Sequence, residues 1–129
     1  MEFLGGQINL KIDAYATFRY PYALVQPSGS PINVTGYTWL ANIRSAKTQT
    51  GSPLGSFTVN VTDATNGLIE LDLTATQTGN LWTAASALYS ASSGFLFVYW
   101  DVLGTASGPG DTTKFLSGTA QLVATASHA

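Results

Sequence analysis

The side chains able to take part in chemistry are few in this sequence, and their positions restrict what they can do. The single histidine, His128, is the next-to-last residue. A base on a fraying chain end cannot be held with the precision that proton transfer requires. Neither a Ser-His-Asp nucleophile system nor a histidine-based metal site is therefore expected. There is no cysteine, which removes thiolate chemistry, zinc-thiolate sites and disulfides together. Glu70 and Asp72 stand two apart in an alternating run and project from one strand face with Leu68 and Thr74. With Asp63 or Asn66 they offer the oxygen ligands that calcium accepts. The exposed polar face of a hairpin has the same composition, and that is the favoured reading. A glycosidase pair faces across a cleft, whereas these two carboxylates sit side by side. Asp101 has Arg44 and Lys114 as candidate ion-pair partners. The Gly104–Gly110 loop lacks the Lys-Ser/Thr ending and the following helix of a phosphate-binding loop. No catalytic residue, metal ligand or cofactor is assigned, and an enzyme is not expected. Trp39, Trp82 and Trp100 can stack on sugars as well as pack between sheets, so a carbohydrate-binding module remains an alternative.

The elements that carry these residues read as short strands separated by frequent turns. Gln7–Asp13 alternates Ile8, Leu10 and Ile12 with Asn9, Lys11 and Asp13, and a second strand covers Tyr15–Val25. The cluster Gln26–Pro31 is a turn. In Tyr37–Ser45, one face carries Tyr37, Trp39, Ala41 and Ile43, the other Thr38, Leu40, Asn42 and Arg44. A loop through Thr50–Pro53 leads to a strand over Leu54–Val61, and Asn66-Gly67 supplies the positive φ of a hairpin turn into Leu68–Leu73. Between Thr74 and Leu88 the alternation fails, and one short helical turn near 75–88 is expected. The stretch Gly94–Leu103 is apolar on both faces: Leu96, Val98, Trp100 and Val102 on one, Phe95, Phe97 and Tyr99 on the other. Lys114–Ala124 closes the domain, with Leu116, Gly118, Ala120 and Leu122 on one face, and 125–129 is a loose tail. About seven strands at this spacing predict an all-β, antiparallel two-sheet β-sandwich of immunoglobulin-like architecture over residues 1–129, with a jelly roll as the competitor.

Only one face of the Gly94–Leu103 strand can belong to the core of a two-layer domain. With the Trp100 face inward, Phe95, Phe97 and Tyr99 are left as an aromatic patch of the kind that marks a partner surface; with the faces reversed, Trp100 and Leu96 are the exposed pair. Tyr20 and Tyr22, flanking Pro21, form a second candidate patch. The 129 residues are 45% hydrophobic and only 9% charged, against roughly 25% in ordinary soluble domains. A surface built from hydroxyls and amides suits a subunit living in an assembly. A net charge of −2 with five Lys and Arg argues against binding nucleic acid through its backbone. No secretory leader or membrane span is read from the sequence. The sequons Asn33-Val34-Thr35 and Asn60-Val61-Thr62 then read as Thr-rich strand ends.

The segment Pro31–Arg44, containing Thr35-Gly36-Tyr37 and ending in Ile43-Arg44, resembles a group of small tailed-phage structural proteins and domains similar to the N-terminal domain of lactococcal-phage upper baseplate proteins. The likeness continues through the hairpin Phe57–Leu71, the Thr-rich Thr74–Thr78, the Tyr99–Val102 strand and the closing Lys114–Val123 strand. It implies an immunoglobulin-like sandwich that docks on a virion, and it transfers no catalytic residue. A free-standing sandwich of this size fits a capsid decoration or cement protein equally. The expected partners are other virion proteins, either the major capsid protein or tail and baseplate proteins, with a homo-oligomer, a trimer by preference. No nucleic acid and no membrane partner is expected. The expected location is the virion, after synthesis in the host cytoplasm.

Overall fold

A computed structural model describes residues 6–45, 53–87, 95–108 and 110–124, with the side chain of Phe95 outside that set. Within these residues eight strands and one helix follow in the order β1 (Gly6–Asp13), β2 (Phe18–Ala23), β3 (Thr38–Arg44), β4 (Gly55–Ser56), β5 (Thr58–Asp63), β6 (Leu68–Leu73), α1 (Ala75–Ser86), β7 (Phe95–Thr105) and β8 (Thr112–Val123). They form two sheets, one in the order β1-β8-β7-β3-β4 and the other β2-β6-β5. In immunoglobulin order, β2, β6 and β5 take the places of strands B, E and D, while β3, β7 and β8 take those of C, F and G. The protein is thus an all-β sandwich, with α1 filling the connection between the E and F strands.

Alternation along each strand explains the layering. Ile12, Ile43, Val98, Trp100, Val102, Leu116, Ala120 and Leu122 of the larger sheet meet Ile69, Leu71 and Leu73 of the smaller one in a buried core. Trp100 packs edge-on against Phe57 with ring centroids 5.8 Å apart, and its indole N–H donates to the Thr119 carbonyl at 3.0 Å. The polar edge of this large buried ring is therefore satisfied. Tyr37, Trp39 and Phe115 form a second aromatic cluster, with centroids 5.7 to 6.0 Å apart. Gly104 admits those rings, because a Cβ there would stand 2.7 Å from Phe115 and 2.9 Å from Trp39.

Three features depart from the sequence-based expectation. The predicted Leu54–Val61 strand divides at Phe57, whose side chain enters the core while its backbone N–H donates to Ala41 at 2.9 Å. The residues before it pair with β3 and those after it with β6, so one apolar run serves both sheets and the strand count rises to eight. The larger sheet is mixed rather than wholly antiparallel, because β1 runs parallel to β8 from Gly6↔Leu116 to Asp13↔Val123. These are the first and last strands, so the chain between them supplies the long crossover that parallel pairing requires. The predicted strand Tyr15–Val25 begins only at Phe18, after a turn in which Tyr15 adopts φ 65°.

The expected short helical turn is a helix of 12 residues. Thr74 accepts from the Gln77 N–H at 3.1 Å and the Gln77 side chain accepts from the Thr74 N–H at 2.8 Å, closing a reciprocal cap. Thr78, Leu81 and Ala85 recur at helical spacing on the buried face. Thr78 Oγ1 donates to the Ala16 carbonyl at 2.9 Å and so ties the helix to the turn before β2. Gly79 lies against the Tyr15 ring, which a Cβ would approach to 2.6 Å. Thr74→Ala is expected to lower stability by about 1 kcal/mol, read as a shift of the urea midpoint with an unchanged slope.

Candidate functional site

Period-two alternation and the strand order fix what the outer face of the five-stranded sheet displays. Along β7 Phe97, Tyr99 and Asp101 are outward side chains. Phe97 stands opposite Gln121 of β8, Tyr99 opposite Thr119 of β8 and Arg44 of β3, and Asp101 opposite Ser117 of β8 and Asn42 of β3. One strand further out, β1 places Asn9 beside Thr119 and Gln7 beside Ser117. The face therefore carries Phe97 in one row with Gln121 and Lys11, two largely polar rows crossing four strands, and the apolar pair Leu40 and Leu103. Phe97 is 56% exposed and Leu40 54%, the two largest exposures among the big apolar side chains described.

Alternation separates the two faces of β7 without saying which is buried; the structure turns Leu96, Val98, Trp100 and Val102 inward, and Phe97 points to solvent. Tyr99 differs from Phe97 in being half-buried, because it lies in a cleft formed by the two polar rows. Phe95 pairs through its backbone with Val123, and its side chain lies outside the described residues. Tyr20 and Tyr22 belong to β2 in the other sheet. They are half-buried against the core, with ring centroids 6.3 Å apart, while Arg19 and Pro21 between and beside them face outward. The two candidate patches are thus on different sheets.

The cleft measures about 220 Å³ and is lined by residues of β1, β3, β7 and β8, Lys114 near the start of β8 among them. Its polar groups are tied across strands: Thr119 Oγ1 donates to Asn9 Oδ1 at 2.8 Å, and Ser56 Oγ donates to Asn42 Oδ1 at 2.8 Å. Asp101 lies in the same cleft as both of its predicted partners, Arg44 and Lys114. Beyond the cleft, Lys11 and Asp13 approach each other at 4.0 Å in an exposed pair, worth little in water.

Glu70 and Asp72 share the outer face of the three-stranded sheet, where Asp72 stands opposite Arg19 and Glu70 opposite Asn60. A hydrogen bond shared with Asp72, desolvation and the Asp72 charge push the Glu70 pKa up, and Arg19 opposes them. The contribution of Glu70 to stability is accordingly fully present below the ordinary glutamate value and lost as pH rises through the raised one. Asp63 and Asn66 are engaged elsewhere: the Asp63 carboxylate accepts from the Asn66 backbone N–H at 3.3 Å and from Nδ2 at 2.8 Å, closing the hairpin turn. Among the described residues no group of three or more His, Cys, Asp or Glu side chains is placed to hold a metal ion, and no helix is long and apolar enough to cross a membrane. His128 and residues 50–52 of the predicted loop lie outside the described residues. In the sequon at Asn33, the amide oxygen accepts from the Thr35 N–H at 3.0 Å and from its hydroxyl at 2.6 Å, an Asx turn.

The cleft is the feature that sequence reasoning did not assemble. Several contributing residues already stood on the polar side of their own strands, Asn9 on β1 and Asn42 on β3 among them. The missing fact was the neighbour order β1-β8-β7-β3, which sets those polar sides next to one another.

No protein-family model matches this chain, and no curated protein matches it significantly. Among solved structures, it is similar to the N-terminal domain of phage TP901-1 ORF48, at 17% identity and a TM-score of 0.39, over 92% of this chain and 84% of that one. It is also similar to part of a nucleoside hydrolase-related hypothetical protein from Saccharophagus degradans associated with carbohydrate metabolism. There the identity is 10% and the TM-score 0.29, over 92% of this chain and 22% of that one. At these values neither neighbour lends a role to any residue of this chain.

Proposed function

We propose that this protein is a non-enzymatic structural component of a bacteriophage virion that docks on the particle surface, as a decoration or cement protein of the head. The observation that carries the reading is Phe97, a large apolar ring 56% exposed on an open sheet face, in a chain whose sequence pattern resembles tailed-phage sandwich domains along nearly its whole length. A ring so placed gains by being covered. The low charge of the chain leaves little to oppose close approach of neighbours. Docking as a small homo-oligomer, a trimer by preference, around a symmetry position of the shell would multiply a modest contact into firm attachment. A position on the tail or baseplate is the alternative within the same reading.

The contact is assigned to the Phe97 end of the face, leaving the polar rows open. Full burial of a Phe side chain is worth about 1.5–3 kcal/mol. Because Phe97 is 56% exposed in the free chain, docking gains about half of that, and Phe97→Ser should weaken co-sedimentation with particles by roughly 4- to 20-fold, with the fold of the free chain retained in circular dichroism. Undiminished attachment of the variant would remove Phe97 from the contact.

A further inference from the structure

We propose that the polar cleft on the outer face of the five-stranded sheet is a saccharide-binding site, separate from the Phe97 contact. The mixture of hydrogen-bonding groups decides the class of ligand. Arg44 and Lys114 only donate, the Asp101 carboxylate accepts, the Thr119 hydroxyl accepts because its proton is given to Asn9 Oδ1, and the amides carry both a donor and an acceptor. A phosphate would call for donors alone and a metal cation for acceptors alone. A ring of hydroxyl groups, each donating one hydrogen bond and accepting others, calls for both kinds around one small volume.

Size and surface agree with that chemistry. A cleft of about 220 Å³ has room for one sugar ring, and further units of a chain would run out over the open sheet. Tyr99 gives the cleft an aromatic side, against which the C–H face of a sugar can lie. The polar groups stand on paired strands rather than on loops, which holds them in fixed relation. The hydrogen bonds that Thr119 and Ser56 make to Asn9 Oδ1 and Asn42 Oδ1 orient both amides, and leave the Nδ2 group of each as a donor for a ligand. On an attached virion protein such a cleft would hold the particle to a cell-surface polysaccharide. The binding itself belongs to the free chain.

The test is a titration of the full-length, isotope-labelled protein with free monosaccharides: neutral hexoses, N-acetylhexosamines and uronic acids. At least one should bind with a dissociation constant of about a millimolar or better, with backbone shifts concentrated at residues 9, 42, 99–101 and 117–119. Asp101→Asn and Asn42→Ala, each confirmed as folded by its dispersed spectrum, should weaken binding about tenfold, and Phe97→Ser should leave it unchanged. No shift with any of the sugars would overturn the proposal, as would binding that maps elsewhere or survives both cleft variants. Because Phe97→Ser impairs docking and the cleft variants impair sugar binding, loss of one reading leaves the other standing.

Discussion

Trp100→Ala should be the most destabilising single substitution in the core, costing about 3–5 kcal/mol. The indole is 3% exposed, meets Phe57 edge-on and donates from Nε1 to Thr119. Truncation would open a cavity between the sheets at the centre of β7 and leave a main-chain carbonyl without its donor. Domains of this size have about 5–15 kcal/mol in total, so the variant should unfold at a much lower urea concentration and be partly unfolded without denaturant. Trp100→Phe retains most of the apolar contact and should fall between the variant and the parent. Urea midpoints of the three proteins check the order, and an unshifted midpoint for Trp100→Ala would mean that the two sheets are not held together at this ring.

The second large effect is expected at a residue with no side chain. Gly118 lies opposite Trp100 on β8 and beside Ile8 on β1. A Cβ on it would overlap the Ile8 carbonyl oxygen and stand 2.8 Å from the carbonyl carbon and 3.0 Å from the Ile8 nitrogen. The obstacle is backbone, which cannot rotate away as a side chain can. Gly118→Ala should cost about 1–3 kcal/mol or more and should act first on the parallel β1–β8 pairing. Hydrogen exchange of the β1 amides should accelerate well beyond that of β6, which lies in the other sheet. Gly108 provides the contrast: it has φ 78° but nothing within 4 Å of a Cβ. Gly108→Ala should therefore show only the backbone penalty of about 1–2 kcal/mol, without selective loosening of β1.

What was legible in the sequence followed from local rules. The grouping of β7 and β8 side chains into two faces and the Asn66-Gly67 turn, where Gly67 has φ 68°, come from period-two alternation and turn chemistry, but both faces of β7 are apolar and only the packing shows that Trp100 is inside and Phe97 outside. The full length of α1 was less visible, since Gly79 and Asn80 weaken its helical pattern. Its reciprocal cap at Thr74 and Gln77 was the signal available. The division of Leu54–Val61 between two sheets was not readable, because Phe57 continues the alternation of Val59 and Val61. Only the pairing of Asn42 with Ser56 and of Asp72 with Thr58 separates the two halves. The cleft was hidden for the same reason. Its residues come from the first, third, seventh and eighth strands, and alternation says which side of a strand is polar but not which strands lie together.

The most direct test of virion docking is the copy number of this chain in purified phage particles, determined by quantitative mass spectrometry against the major capsid protein. The proposal of a head decoration or cement protein requires hundreds of copies per particle, released together with the capsid protein rather than with the tail. A few to a few tens would place it on the tail or baseplate. Absence from particles would contradict the central claim, leaving the saccharide cleft to be judged by its own titration.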